Sequence, residues 1–141
     1  MSEGFRTFDH TGDLGLEAWA ETPERLFEVV AEALMAQIAQ IEASERDVPR
    51  RVEVELEADD TGDLLVHWLN TALLEAELAR AVWTRARVGR WSPRGLSATL
   101  EGPVLDVRRH TALREIKAVS HHALELQLEP PTCRCRVVLD L

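Results

Sequence analysis

The feature that most constrains the fold is a change in the spacing of apolar residues along the chain. The runs "LGLEAWA" near the start and "RRVEVELEAD" further on place apolar residues at alternate positions. Such alternation predicts strands with one buried and one solvated face. Two other stretches, one beginning at Thr22 and one after "DDTGD", space their apolar residues by three and four. That spacing predicts two amphipathic helices set among strands.

Both predicted helices have recognisable starts. Thr22 is a good N-cap with Pro23 in the first helical position, and either Asp60 or Thr61 can cap the second helix. The first helix is expected to continue to Ile41, over about five turns. The apolar series are Leu26, Val29, Val30, Ala33, Leu34, Ile38 and Ile41 in the first helix, and Leu64, Leu65, Trp68, Leu69, Ala72, Leu73 and Ala76 in the second.

From Val82 onward the period returns to two, in short runs separated by turn-rich segments such as "SPRG" and "EPPT". Adjacent strands joined by short turns predict an antiparallel meander. The predicted fold class is therefore α+β: a two-layer sandwich, with a largely antiparallel sheet and two amphipathic helices on one face. The chain of 141 residues shows no repeat and no change of composition, so we expect one domain over residues 1–141.

Charge and cysteine content exclude several classes of protein. The net charge of −9 opposes stand-alone binding to nucleic acid and suits docking on a basic partner. Cys133 and Cys135 form C-x-C in a predicted strand, which is not a zinc signature and indicates two small side chains on one sheet face. The chain shows neither a signal peptide nor a membrane span, so a cytoplasmic location is expected.

The stretch "DHTGDLG" gathers two carboxylates and an imidazole within five residues, Asp9, His10 and Asp13. Two interpretations stay open. The aspartates can fold back on backbone N–H groups as Asx turns, and Gly12 can adopt a positive φ. Alternatively, hard oxygen ligands in a turn can hold a divalent cation if other carboxylates reach the same place. Asp13 is the stronger ligand candidate, because it stands just before an alternating strand.

The end of the chain, "VVLDL", offers a second set of oxygen atoms. Asp140 follows strand-like apolar sequence, and Leu141 adds an α-carboxylate one residue later. These groups are either a solvated strand end or a pair that shares a cation. If this segment lies beside the N-terminal turn, then Asp13, Asp140 and Leu141 would form an oxygen-rich site suited to Ca²⁺ or Mg²⁺.

Other polar residues are weaker candidates. Lys117 interrupts the predicted strand "REIKAVSHH", where it is either a solvated lysine or part of a functional surface. His121 and His122 are adjacent in that strand and therefore point to opposite faces, so they cannot chelate one ion together. His67 is expected to be a packed or surface histidine. The sequence contains no G-x-S-x-G, Walker A, G-x-G-x-x-G or H-E-x-x-H motif.

The order of these segments resembles the archease family. The blocks that carry the resemblance are "DHTGDLGLEAWA", "TPERLFEVVAEAL", "EADDTGDLLVHWLN", "REIKAVSHHALEL" and "VVLDL", which follow the order of the family over nearly the whole chain. Archeases typically show D-H-T-A-D-[IV]-G where this chain has Gly12 in place of the alanine. The Cys-x-Cys of the last strand is not part of the family pattern.

The resemblance implies a protein cofactor rather than an enzyme. Archeases activate the GTP-dependent tRNA-splicing RNA ligase of the RtcB type, promote its guanylylation and multiple turnover, and broaden its use of nucleoside triphosphates. The family's metal site, usually described with Ca²⁺, maps onto Asp13, Asp140 and Leu141, with Mg²⁺ or Mn²⁺ as alternatives. Asp9, His10 and Lys117 are expected on the functional surface. RNA would be contacted only through the ligase, and the sequence leaves the oligomeric state open.

Two other classes of function remain compatible with the sequence. A metal-dependent phosphoester hydrolase using Asp13 and Asp140 would turn over a phosphoester by itself. A general chaperone or adaptor would be indifferent to the loss of both carboxylates.

Overall fold

A computed structural model describes residues 2–141. It contains nine strands and two helices over that range. In chain order they are β1 (Gly4–His10), β2 (Asp13–Ala20), α1 (Pro23–Ala36), β3 (Ala39–Gln40), β4 (Pro49–Glu57), α2 (Thr61–Ala79), β5 (Arg85–Ser92), β6 (Gly95–Pro103), β7 (Thr111–Ala112), β8 (Ala118–Glu129) and β9 (Thr132–Asp140).

The strands form three antiparallel sheets, and this confirms the predicted α+β class. Four strands lie in the order β1-β2-β9-β8, three in the order β4-β6-β5, and β3 pairs with β7. The expected single meander is wrong, because the last strand pairs with the second one. In that pairing Leu16 lies opposite Val137 and Ala18 opposite Cys135, and all four residues are buried. Two strands with matching apolar positions thus bury their inner faces together at the sheet centre.

Helix α1 begins at the predicted residue and ends earlier than predicted. The Thr22 hydroxyl accepts a hydrogen bond from the Arg25 N–H at 3.1 Å, and Pro23 is the first helical residue. The helix stops at Ala36, so the predicted extension to Ile41 is wrong. Beyond it, Ala39 starts β3, and Ala39 and Ile41 contact the core as alternate residues of an extended segment. The three-residue spacing of Ile38 and Ile41 continues the helical series, although both residues lie beyond the end of α1.

Of the two predicted caps for helix α2, Asp60 is the N-cap and Thr61 is the first helical residue. The Asp60 carboxylate accepts the Asp63 N–H at 2.8 Å and is the N-cap. The Thr61 hydroxyl donates to the Pro93 carbonyl at 2.7 Å, which ties the helix start to the turn between β5 and β6. At the other end, Arg80 caps the helix in the left-handed conformation with φ of 53°.

Two buried tryptophans join the helices to each other and to the sheets. The indole N–H of Trp68 donates to the Phe27 carbonyl of α1 at 2.9 Å, and that of Trp83 donates to the Ala72 carbonyl of α2 at 3.1 Å. Both side chains are fully buried among the leucines of α1 and α2. Each ring therefore fills core volume and pairs its polar atom at the same time.

Helix α1 also closes one edge of the three-stranded sheet. The carboxylates of Glu32 and Glu28 accept the backbone N–H groups of Ala86 and Val88 in β5, at 2.9 and 2.8 Å. Burial raises the pKa of Glu32 above its usual value, because the desolvated carboxylate is less stable when charged. These bonds occupy edge donors that would otherwise be open to another strand.

Candidate functional site

The N-terminal turn and the C-terminal strand end meet at one end of the four-stranded sheet, on its two central strands. His10 pairs with Asp13 across the hairpin, Leu14 pairs with Leu139, and Ala118 pairs with Asp140. Continuing the β2–β9 register by one residue sets Asp13 opposite Asp140. Residues directly opposite each other on antiparallel strands share a face, with Cβ atoms about 5 Å apart. We call Asp13, Asp140 and Leu141 the carboxylate tip.

The hairpin that carries Asp13 is tighter than the sequence suggested. Its loop is only Thr11 and Gly12, and Gly12 has a positive φ of 75°, as a turn of this length needs at its second residue. Asp9 and His10 belong to β1 and Asp13 opens β2. Within residues 2–141, neither aspartate accepts a backbone N–H, so the Asx-turn interpretation is wrong.

Asp9 and His10 diverge, since adjacent residues of a strand face opposite sides. Asp9 is exposed and lies opposite Leu14, whose side chain contacts the core. His10 instead stands beside Asp13, with its Nδ1 atom 3.9 Å from a carboxylate oxygen. That nitrogen is shielded from solvent and has no hydrogen-bond partner. Unpaired buried polar atoms are rare in native proteins, and this one lies just beyond hydrogen-bond length from a carboxylate.

His122 also lies at this end of the sheet, and the sequence did not predict that placement. Its ring meets the His10 ring edge-on, with centroids 5.8 Å apart. His121 points the other way and approaches the Asp63 carboxylate of α2 at 3.1 Å. The expectation that the two histidines face opposite sides of the strand is confirmed. Only the pairing of distant strands brings His122 to His10, so no local motif could have predicted it.

Lys117 is next to the tip but outside the strand predicted to hold it. It lies one residue before β8, is exposed, and donates its backbone N–H to the Asp140 carbonyl at 2.8 Å. Its ammonium group forms no ion pair with any residue of the described chain. This ammonium group is therefore free to contact an anion of another molecule.

The chemistry of the tip suits a hard cation, but the site is incomplete as a metal centre. Carboxylate oxygens on adjacent strands are ligands that Ca²⁺ and Mg²⁺ prefer. Among residues 2–141, however, no three His, Cys, Asp or Glu side chains lie close enough together to hold a metal. Asp13 and Asp140 supply two carboxylates, and any further ligand has to be the Leu141 carboxylate, a main-chain oxygen or a group from another molecule.

A row of alternating charges supports the sheet beneath the tip. Arg6, Glu17, Arg136 and Glu125 face one another across β1, β2, β9 and β8. Glu17, which is 6% exposed, accepts a hydrogen bond from Arg6 Nε at 3.0 Å and forms an ion pair with Arg136 Nε at 3.2 Å, where the angle does not suit a hydrogen bond. Arg136 also reaches Glu125 at 3.1 Å and stacks on the Phe8 ring at 4.1 Å. This network fixes the strands that place Asp13 and Asp140.

A second polar cluster, unforeseen from the sequence, holds the loop between β6 and β7. The buried His110 accepts the Asp106 N–H at its Nδ1 atom and places Nε2 3.2 Å from Asp47. Arg109 bonds Asp47 at 2.9 Å and Asp106 at 3.1 Å. Because both ring nitrogens of His110 are engaged, this Asp–His pair is structural and has no free nitrogen for acid–base work.

The cluster predicts loss of stability in acid. Bonds from the Ser44 N–H, Arg109 and His110 hold the pKa of Asp47 below its usual value, and bonds from the Arg108 N–H and Arg109 do the same for Asp106. A lowered folded-state pKa gives stability that is complete above the unfolded value of about 3.9 and is lost as pH falls through the folded value. We expect the free energy of unfolding, measured in urea, to fall between pH 5 and pH 2.

The test compares Asp47→Asn with Asp59→Asn, which alters an exposed aspartate that forms no hydrogen bond within residues 2–141. Asp47→Asn is expected to make the free energy of unfolding fall less steeply between pH 5 and pH 2, whereas Asp59→Asn is expected to leave the pH dependence as in the wild type. The same pH dependence in all three proteins would contradict the assignment of the acid-induced loss of stability to this cluster.

The two cysteines behave as predicted. Cys133 and Cys135 are free, and both are buried on the inner face of β9. Burial raises the pKa of Cys135 to about 12, which makes its thiolate inaccessible near neutral pH. They are core residues and not ligands.

Comparison with known proteins places residues 5–141 within a family model described as the archease protein family (MTH1598/TM1083). A Methanopyrus kandleri protein archease is 30% identical, and the alignment covers 94% of this chain and 96% of that one. Protein archease from Methanothermobacter thermautotrophicus is 31% identical over 99% of both.

Solved structures agree with this comparison. The solution structure of protein 1598 from Methanobacterium thermoautotrophicum superposes with a TM-score of 0.69 and 30% identity, over 98% of this chain and 99% of that one. A Thermotoga maritima protein, described as an archease and possible chaperone, superposes with a TM-score of 0.65 and 20% identity over 96% of both chains. Neither helix in residues 2–141 is long and apolar enough to cross a membrane.

Proposed function

Because this chain belongs to the archease family, we propose that it is a non-catalytic activator of an RtcB-type tRNA-splicing RNA ligase and acts through its carboxylate tip. It promotes guanylylation and multiple turnover of the ligase and broadens the nucleoside triphosphates that the ligase accepts. The observation that carries the proposal is the register that sets Asp13 opposite Asp140, one residue before Leu141. RNA is contacted only through the ligase.

The tip is the part of the chain that enters the ligase. Its carboxylates are at the strand ends of a sheet that is stiffened by the Arg6, Glu17 and Arg136 contacts. The net charge of −9 favours approach to a basic cleft. Electrostatic attraction of this kind gives fast association that weakens as salt is added, as expected of a transient activator.

A divalent cation, which we propose to be Ca²⁺ with Mg²⁺ or Mn²⁺ as alternatives, would be held by Asp13, Asp140 and the Leu141 carboxylate. When bound, such a cation neutralises the charge that develops on a triphosphate during nucleotidyl transfer. The task of the protein is positioning: Asp13 and Asp140 are fixed by neighbouring strands and the Lys117 N–H orients the Asp140 carbonyl. His10 and the Lys117 ammonium complete the functional surface, and Asp9 flanks it on the opposite face.

Ligase guanylylation and multiple-turnover ligation test the proposal. Asp13→Ala and Asp140→Ala are each expected to reduce stimulation about 10- to 100-fold, the usual loss when a metal-site group is removed. The matched control is Asp59→Ala, which removes an exposed carboxylate far along the chain and is expected to stimulate as wild type does. Full stimulation by both tip variants would overturn the role of the tip.

The same experiment separates the other functions. A phosphoester hydrolase would show turnover by the purified chain alone, and that turnover would disappear in Asp13→Ala. A chaperone, the role named as possible for the Thermotoga maritima protein, would raise the yield of active ligase without dependence on either carboxylate.

Calorimetric titration with Ca²⁺ and Mg²⁺, repeated on a chain extended by one residue beyond Leu141, tests the third ligand: the extension is expected to weaken binding.

A further inference from the structure

A groove of about 660 Å³ runs along helix α2. One wall is formed by Leu73, Leu74 and Glu77 of the helix, and the opposite wall by residues 115–117. Ile38 and Leu105 contribute to the apolar lining. This volume is in the range of sites that receive a ligand or an inserted side-chain cluster. We call it the α2 groove.

Helix α2 exposes apolar side chains at and beside the groove that nothing in the described chain covers. Leu74, which lines the groove, is 54% exposed, and Leu78, one turn further along α2 and outside the lining, is 70% exposed. Residues four apart on a helix lie on one face, so the two leucines form a continuous strip. Leu113, 42% exposed, bonds the Ile38 carbonyl beside the groove. Exposed leucines clustered in and beside a concave surface indicate an interaction site rather than scattered surface residues.

Unpaired charges surround this apolar strip. Glu77, Arg80, Glu115 and Lys117 all line the groove and are exposed. None of them forms an ion pair within residues 2–141. Arg80 in addition occupies the left-handed helix cap, where glycine is the usual residue. Asn70 is different, because its amide donates to and accepts from the Val119 backbone, at 3.0 and 2.8 Å.

The groove is continuous with the carboxylate tip. Lys117 lines the groove and also donates its N–H to the Asp140 carbonyl. Continuing the β8–β9 register sets Lys117 opposite Leu141, whose side chain is 46% exposed. A stable protein interface buries about 800 Å² on each partner. A protein that covers the tip therefore has to extend over neighbouring surface, and the groove is the apolar part of that surface.

We propose that the α2 groove is the second half of the docking surface for the ligase and receives an amphipathic helix of that protein. This inference rests on the proposed function. The strip of leucines at i and i+4 fits the apolar face of a helix laid along α2, and the mixed-charge rim fits flanking residues of either sign. The tip supplies salt-dependent attraction, and the groove supplies apolar contact that slows dissociation.

The affinity of fluorescently labelled chain for purified ligase tests the inference. We expect the double variant Leu74→Ser with Leu78→Ser to weaken Kd at least tenfold through faster dissociation. At saturating concentration this variant still stimulates guanylylation fully, because the tip is intact. Asp13→Ala has the reverse pattern, with lower maximal stimulation. Phe5→Ser, at a 44% exposed phenylalanine on the far edge strand β1, is the matched control and is expected to bind as wild type does.

Two further variants keep the test decisive. The conservative pair Leu74→Met with Leu78→Met is expected to retain affinity, and Leu78→Ser alone changes the most exposed leucine if the double variant melts early. A Kd within twofold of wild type for the serine variants would overturn the groove proposal while leaving the proposed function intact. Sedimentation that shows loss of a dimer in these variants would instead assign the groove to self-association. No binding or stimulation by the wild type would overturn the proposed function itself.

Discussion

Replacing Trp68 by alanine is expected to cost about 4 kcal/mol of unfolding free energy, as for other large aromatic residues deleted from a core. The indole is completely buried, and its N–H is bonded to the Phe27 carbonyl of the neighbouring helix. The substitution removes the apolar volume, opens a cavity between α1 and α2, and removes the hydrogen bond by which the indole joins the two helices. Urea unfolding monitored by circular dichroism measures the loss.

The neighbouring residue supplies the control. His67 is exposed and has no hydrogen-bond partner within residues 2–141, so His67→Ala is expected to change stability by less than about 0.5 kcal/mol. Trp68→Phe separates size from hydrogen bonding, since it keeps most of the ring and removes the donor. A loss below about 1 kcal/mol in Trp68→Ala would show that the two helices are held together elsewhere.

The elements that could be predicted from sequence are those governed by local periodicity and capping. The Thr22 and Asp60 caps begin the two helices where expected, and β4 alternates as its valines and glutamates predicted. The end of α1 could not be predicted in this way. Ile38 and Ile41 continue a helical spacing, yet this segment pairs with β7, and a pairing between distant segments leaves no local signal.

The candidate site likewise has a part that the sequence predicts and a part that it does not. Asp13 and Asp140 are recognisable as unusual carboxylates in sequence, because Asp13 stands just before an alternating run and Asp140 follows strand-like apolar sequence. Their juxtaposition depends on β9 pairing with β2, which the expected meander would not have produced. His122, the Glu17 network and the Asp47–His110 cluster depend on such long-range pairings and on buried loop contacts. Residue type alone could identify candidate metal ligands, but not the residues that surround them in the fold.

Gly102→Ala is expected to destabilise the protein by about 3 kcal/mol, the upper end of the usual cost of overpacking a well-packed site. A Cβ built on Gly102 would lie 1.8 Å from the Val82 carbonyl oxygen and 3.0 Å from the Thr84 nitrogen. Both obstacles are backbone atoms, so a side-chain rotation cannot relieve the clash. Relief requires separation of β6 from residues 82–84, which would strain the bond between the Val82 N–H and the Pro103 carbonyl.

Thermal unfolding of Gly102→Ala measures this effect against a glycine in the same sheet. A Cβ on Gly89 of β5 would meet only the Ser97 hydroxyl oxygen at 3.5 Å and the Ser97 carbonyl at 3.7 Å, both ordinary contacts. Gly89→Ala is therefore expected to leave the melting temperature unchanged or slightly raised, because alanine has less freedom to lose on folding. Gly102→Ala should lower it by about 10 °C or more. Equal melting temperatures for the two variants would mean that residues 82–84 can move away from β6 at little cost, and the wall of the α2 groove at Val82 would then be equally free to move.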